Sequence, residues 1–503
     1  MSPSLLNAPA NAKRSLHYLW WLLPPLLVGV LSINGSSFWI DECMTARFVS
    51  QPTFAAWWHD MRTTDYPEAQ MPLYVFYLWG WDKLFGHGEW SLRLAALPWF
   101  VPGVAVFLYS LRRLGRGGAA VILVTCSSAF VWYYLNEARP YAMQVGVSCL
   151  IFAALAECKS PAEGSSRRWF LVFLVGLVLL SAISIIGMVW ISAAIVAMWG
   201  MFPVVTLKDW GRRNLKYISV AVAMLGVLGS FYLWTVLRGA KATMIGTTNL
   251  QSLAFILYEQ LGFTGLGPGR TELREQGVRA LGSYWPWLCL YAIGVGVVLS
   301  AGIRAVWKST SRQWALWVAT GLAIPVSFFL VAGMLAHFRV LGRHLTPLMP
   351  VWFCLLSFGV MTLWRHRRAG RTVVTVFLGL SLISAIEIRW SPRHLKDDYR
   401  AAVAFTKTAL DSGRSVWWNA SWEAADHYGL QLTSDPTQRD RALLVFNPTA
   451  DSLAQLPLPD VAVVTKPDIF DPRRVVLTRL TQAGYRQETN FPALDVWQRA
   501  RQP

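Results

Sequence analysis

Long apolar runs dominate this chain, and their length leaves it few ways to fold. A helix needs about 20 residues to cross the hydrocarbon core of a bilayer. Runs near that length lie at 18–33, 93–111, 119–135, 141–156, 169–184, 188–205, 217–237, 285–303, 314–335, 345–364 and 372–388. The pattern predicts an all-α polytopic membrane bundle of about eleven transmembrane helices. The stretch 169–205 is too long for one untilted span, and Gly187 offers a turn between two. Pro24 and Pro25 are expected to kink the first span, which a packed bundle tolerates.

Charge placement gives the orientation. Hydrophobic residues fill 54% of the 503 positions and charged residues only 15%, where soluble domains carry about a quarter. A net charge of +18 raises nucleic acid as a partner, but the basic residues sit in short clusters between apolar runs. One set of loops holds Lys13/Arg14, Arg112/Arg113/Arg116, Lys159/Arg167/Arg168, Lys208/Arg212/Arg213/Lys216, Arg304/Lys308/Arg312 and Arg365/Arg367/Arg368/Arg371. The opposite short loops hold only Arg139, Arg339 and Arg343. Positive residues favour the cytoplasmic side, so the N-terminus is expected inside and, with an odd span count, the C-terminal tail in the periplasm. Lys13/Arg14 also resemble the start of a signal peptide. No small-residue cleavage site precedes Asp41, so the first run is read as a retained span. The six cysteines show no CxxC spacing and lie mostly in or beside apolar runs, which argues against a disulfide framework or zinc site.

Two domains are expected: a transmembrane domain at 1–388, with outer loops 34–92 and 238–284, and a small periplasmic α/β domain at 389–503. Segment 34–92 mixes Trp57, Trp58, Trp79, Trp81 and Trp90 with charges, as helices lying in the interface do. In the tail, helices at 399–410 and 474–483 alternate with short apolar strands at 415–418, 443–446, 461–464 and 493–497.

Four constellations can carry chemistry. Asp41-Glu42 follows the first span, where carboxylates are costly unless they have work to do. Adjacent helical residues point about 100° apart, so one of the two faces a given site. Asp41 fits an N-cap for a helix at 42–49, and equally a general base for an attacking hydroxyl. Glu137 and Arg139, in a tight outer turn, fit a solvated surface pair, or a grip on a sugar hydroxyl and a phosphate. Arg343, in the outer turn 337–347, fits an interface anchor or a phosphate ligand; His337 and His344 beside it read as interface residues. The glycine-rich segment 262–274, with Arg270 and Arg274, matches no P-loop and reads as a mobile outer flap.

Taken together, these residues resemble the GT-C integral-membrane glycosyltransferases, among them bacterial relatives of the protein O-mannosyltransferases and the lipid A aminoarabinose transferases. The resemblance rests on Phe38-Trp39-Ile40-Asp41-Glu42, Met71-Pro72-Leu73-Tyr74, Gly86 with Glu89 and Arg93, Glu137-Ala138-Arg139-Pro140-Tyr141, Gly342-Arg343-His344-Leu345-Thr346-Pro347, and Lys396-Asp397-Asp398-Tyr399-Arg400. It implies inverting transfer of a monosaccharide from a polyprenyl-phosphate donor to a hydroxyl of an envelope glycan, glycolipid or protein, on the periplasmic face of a bacterial inner membrane. It places Asp41, Glu42 and Glu137 among the catalytic residues, and Arg139, Arg343 and Arg270 near the donor phosphate. Tyr74, Tyr141, Gln70 and His344 fall among substrate-binding positions. Gln70 stands where relatives commonly carry a His, which puts donor or acceptor choice in doubt rather than the reaction. Some relatives use a divalent metal; this chain shows no clear ligand set, so the sequence requires no cofactor, and a divalent metal stays open. A polysaccharide polymerase or ligase and a lipid-linked sugar flippase or transporter are the alternatives. Transporters usually carry charges mid-span in paired repeats, whereas here no internal repeat is found and the acidic residues gather at one face.

Overall fold

A computed structural model describes residues 20–112, 117–159, 165–239, 247–308, 312–366 and 368–499. The start of the first apolar run and the loop charges at Lys13, Arg14, Arg113, Arg116 and Arg367 lie outside the described residues. The chain forms two compact units. The first takes in residues up to Ile33, Trp58–Trp81 and Arg93–His394; the second takes in Asn34–Trp57, Asp82–Leu92 and the chain from Leu395.

The first unit is helical. Among the described residues of the whole chain, eight helices are long and apolar enough to cross a membrane, or ten if each of two bent pairs makes one span. The first apolar run contributes the shorter helix Leu23–Ser32. Pro24 and Pro25 lie in its first turn, where their missing N–H groups break no bond, so they start this helix rather than kink it.

The breaks have local causes. In the pair Ile185–Met201 and Val204–Arg213 the axis turns by 117°. Phe202 precedes Pro203, and the pyrrolidine ring drives it into extended backbone, ending the helix there. In the pair Gly118–Cys126 and Ala129–Leu135 the axis turns by 54°, and the Ser128 hydroxyl caps the second helix by accepting from Val131 N–H. The expected turn at Gly187 comes earlier, at Ser184. Its hydroxyl accepts from Gly187 N–H at 3.3 Å and from Gln144 Nε2 at 2.6 Å, satisfying the helix start. Helices Leu97–Leu111 and Tyr141–Cys158 meet backbone to backbone. A Cβ on Gly103 would sit 2.1 Å from the Gly146 carbonyl oxygen, so only glycine fits.

The second unit carries a six-stranded sheet of β1 (Val416–Asn419), β2 (Leu432–Thr433), β3 (Ala442–Leu444), β4 (Val461–Val464), β5 (Tyr485–Phe491) and β6 (Leu494–Arg499), in the order β2-β3-β1-β4-β6-β5. The first four are parallel; β6 pairs antiparallel with β4 and β5. Central strands β1 and β4 are buried along their whole length, which is why both read as unbroken apolar runs. Helices Tyr399–Asp411 and Val475–Gln482 complete the α/β pattern. Strands β2 and β5 were not expected. The first is two residues long, and the second is a mostly polar edge strand.

Candidate active site

The residues singled out by sequence fall in both units, and each group is built from its own scaffold. In the second unit, Asp41 and Glu42 open the helix Ile40–Val49. The helix starts two residues earlier than a cap at Asp41 would require, so Trp39 is the N-cap residue and Glu42 occupies the third helical position. Glu42 reaches back to accept the Trp39 N–H, and its fully buried carboxylate is held by Lys396 Nζ at 3.3 Å. The capping work expected of Asp41 is therefore done by Glu42. Asp41 is half-buried in the first turn, where the positive end of the helix favours a carboxylate. Burial, reinforced by the Glu42 carboxylate, pushes the neighbouring Cys43 thiol well up, so that thiol is inert.

The run Lys396–Arg400 secures the strand of chain that leads into this helix. Arg400 donates from its guanidinium to the Gly35 carbonyl at 3.1 Å and from its backbone N–H to Ser37 Oγ at 3.1 Å. Tyr428 OH accepts from Phe38 N–H at 2.8 Å and donates to Glu89 at 3.0 Å, while Arg400 pairs with the same Glu89 oxygen at 3.2 Å. Asp397 pairs with Lys466, and Asp398 caps the helix Tyr399–Asp411. The tail segment and Glu89 thus share one task, fixing the entry to Asp41.

In the first unit, Arg139 Nη1 lies 2.5 Å from Glu68 Oε1, and both side chains are buried. Glu137 is only 1% exposed. Glu137 and Arg139 are therefore not solvated as expected: the turn is packed, and Arg139 is held by Glu68. Gln70 ends the same short turn as Glu68, half-buried, and Tyr74 is buried in the first turn of the helix Pro72–Phe85.

A second group centres on Glu259, which sequence reasoning missed. One carboxylate oxygen accepts the Gly342 N–H at 2.8 Å, and the other holds Arg270 Nη2 at 3.0 Å. Gln260 donates to the carbonyls of Gly342 (3.1 Å) and Leu345 (2.8 Å), so consecutive residues fix the turn Gly342–Leu348 that carries Arg343 and His344. His344 Nδ1 accepts the Leu341 N–H at 3.1 Å, which commits that ring nitrogen to the turn itself. The Arg270 guanidinium lies 4.1 Å over the Tyr133 ring, and that of Arg343 5.9 Å over Tyr141. Glu137 interacts with Tyr133. The fold thus gathers Glu137, Arg270, Arg343 and Tyr141 with Glu259, Tyr133 and Tyr134. The signal for Glu259 was legible: it is a lone carboxylate in the apolar helix Leu250–Gln260.

The glycine-rich segment is pinned rather than loose. Gly265 N–H donates to Ser384 Oγ at 3.1 Å, Ser384 donates to the Gly262 carbonyl at 2.6 Å, and Arg393 donates to the Gly265 carbonyl at 2.8 Å. A Cβ on Gly265 would meet the Ser384 carbonyl oxygen at 1.9 Å, so glycine here allows close packing in place of the expected flap motion. Among the described residues, no group of three or more His, Cys, Asp or Glu side chains is arranged to hold a metal ion.

Helix order, the membrane bundle and the C-terminal sheet define the class: this is a multi-span membrane protein of the GT-C fold. The apo crystal structure of ArnT from Cupriavidus metallidurans matches with a TM-score of 0.52 and 13% identity, covering 96% of this chain and 98% of that one. The same protein bound to undecaprenyl phosphate matches with a TM-score of 0.48 and 12% identity over 95% of this chain and 97% of that one. The arabinofuranosyltransferase AftD from Mycobacteria gives 0.46 and 13%, covering 96% of this chain and 40% of that larger one. No protein-family model matches the sequence, and neither does any curated protein.

Proposed function

We propose that the protein is an inverting glycosyltransferase that moves one sugar from a polyprenyl-phosphate carrier to a hydroxyl of an envelope glycan, glycolipid or protein, at the periplasmic face of the inner membrane. The observation that carries this reading is the cost the bundle bears to bury the carboxylates of Glu137 and Glu259 beside Arg270, Arg343 and three tyrosines, in a chain otherwise built of apolar helices. Such groups inside a membrane protein mark a working site. The GT-C fold and the motif order from Asp41 to Arg400 support sugar transfer. Outside the cytoplasm no nucleotide sugar is at hand, so activation has to arrive on a lipid.

In this scheme the acceptor oxygen bonds to the anomeric carbon while its proton passes to Asp41. The bond from that carbon to the phosphate oxygen breaks, and its electron pair leaves with the phosphate. General-base help of this kind is worth about 10²–10⁴-fold. Arg270 and Arg343 oppose the charge that grows on the departing phosphate. Arg139 is buried against Glu68, whereas Arg270, though paired with Glu259, keeps 43% of its side chain exposed; Glu42 is spent on Lys396 and the helix cap. Arg139 and Glu42 therefore position the site. Replacing Asp41 by Asn should cut transfer at least about 100-fold and leave lipid-donor binding intact; near wild-type turnover in purified protein would remove the base assignment. Replacing Arg343 by Ala should raise the KM for the lipid donor more than that for the acceptor, and the opposite pattern would take Arg343 out of the phosphate site.

A further inference from the structure

The ring of Tyr134 packs against Tyr133 and Tyr141, and its hydroxyl has no hydrogen-bond partner among the described residues, although the residue is only 2% exposed. Buried hydroxyls nearly always find a partner, because leaving one unpaired costs free energy. The ring meets Tyr133 edge-on at 5.1 Å and Tyr141 edge-on at 5.0 Å, with Phe130 at 4.5 Å. Each flanking tyrosine carries a guanidinium: Arg270 over Tyr133 and Arg343 over Tyr141. The charged groups acting on the Tyr134 hydroxyl are Glu259, Arg270, Glu137 and Arg343. Tyr134 is thus a neutral donor set between two cations, with carboxylates on the same cluster.

We infer that the Tyr134 hydroxyl donates a hydrogen bond to the phosphate of the lipid-linked sugar, between the Arg270 and Arg343 guanidiniums. This assignment rests on the lipid-phosphate reading above. A phenol suits the position because it adds a donor without adding charge, and Glu259 has already balanced Arg270. The bond strengthens as the anomeric carbon–oxygen bond breaks and its electron pair moves onto the phosphate oxygen, while Tyr134 keeps its own proton. The residue contacts substrate in this scheme; it does not act as an acid or base.

Replacing Tyr134 by Phe removes one oxygen and keeps the ring. Wild type and variant would be compared in nanodiscs for binding of a polyprenyl phosphate and of the matching polyprenol, together with their unliganded melting temperatures. The variant should bind the lipid phosphate about tenfold more weakly, bind the polyprenol unchanged, and melt no lower than wild type. Equal affinity of the two proteins for the lipid phosphate overturns the assignment. So does a variant that melts several degrees lower without ligand, since the hydroxyl would then have a structural partner. A wild-type protein that does not discriminate phosphate from alcohol overturns the lipid-phosphate reading itself, and the role of Tyr134 with it.

Discussion

Glu259 and Arg270 form an ion pair at 3.0 Å in which the carboxylate's second oxygen is held by the Gly342 N–H, so one acidic side chain sets both an arginine and the turn bearing Arg343. Replacing Glu259 by Gln keeps an acceptor for one of these donors and loses the charge that holds Arg270. The expected result is a donor KM raised about tenfold, the worth of one charge-assisted hydrogen bond, with kcat changed less. Replacing it by Ala frees the turn as well and should lower both constants' ratio further. Steady-state kinetics with varied lipid donor check both.

The Glu68–Arg139 pair should behave as a buried ion pair does. Removing either charge alone strands the other, at a cost of about 3–5 kcal/mol. Glu68→Leu and Arg139→Met are therefore each expected to lower the melting temperature sharply in detergent, and the double variant to recover much of that loss. Additive losses would mean that the two charges do not stabilise each other.

Lys396 and Glu42 offer a rescue test for positioning. Lys396→Met leaves a buried carboxylate without its cation, so transfer and stability should both fall. Adding Glu42→Gln removes the stranded charge and keeps an acceptor for the Trp39 N–H. Turnover should then return in part, whereas Asp41→Asn should not be rescued by either change. A Lys396→Met protein with full activity would break the link between the clamp and Asp41.

His394 gives stability a pH dependence. Burial, with Arg393 beside it, pushes its imidazole down from 6.5 to about 4. Arg393 Nε donates to His394 Nε2 at 3.1 Å, which needs the neutral ring. Between these two values the unfolded chain binds a proton that the folded chain does not. Folding stability is therefore complete above pH 6.5 and falls as pH drops toward 4, by at most about 1.4 kcal/mol per unit. Thermal melts of wild type against His394→Gln, run from pH 7 to pH 4, should show the slope flattened in the variant.

Much of the fold was legible because burial repeats locally. Apolar runs marked the helices, and the all-apolar strands β1 and β4 marked the centre of the sheet. The polar edge strand β5 hid because its residues face water and carry no such pattern. The site was legible in part. Arg270, Arg343 and Glu137 stood out as charges where few are tolerated, but their supports did not. Tyr133 and Tyr134 lie in the aromatic helix Ala129–Leu135, where nothing in the local pattern sets them apart from core. The pairs Glu68–Arg139 and Glu42–Lys396 join residues 71 and 354 positions apart, and no local periodicity records such a partner. Of the two readings open for Asp41, the cap does not hold, because the helix gains two residues at its start and Glu42 takes the third helical position.

The separation between Glu42 and Lys396 also sets an order in time. A ribosome makes Asp41 early and the residues that clamp its helix hundreds of codons later. The aspartate-bearing turn is therefore finished only after the whole helical unit has been made, and a product terminated before Lys396 carries the acid without the brace that aims it.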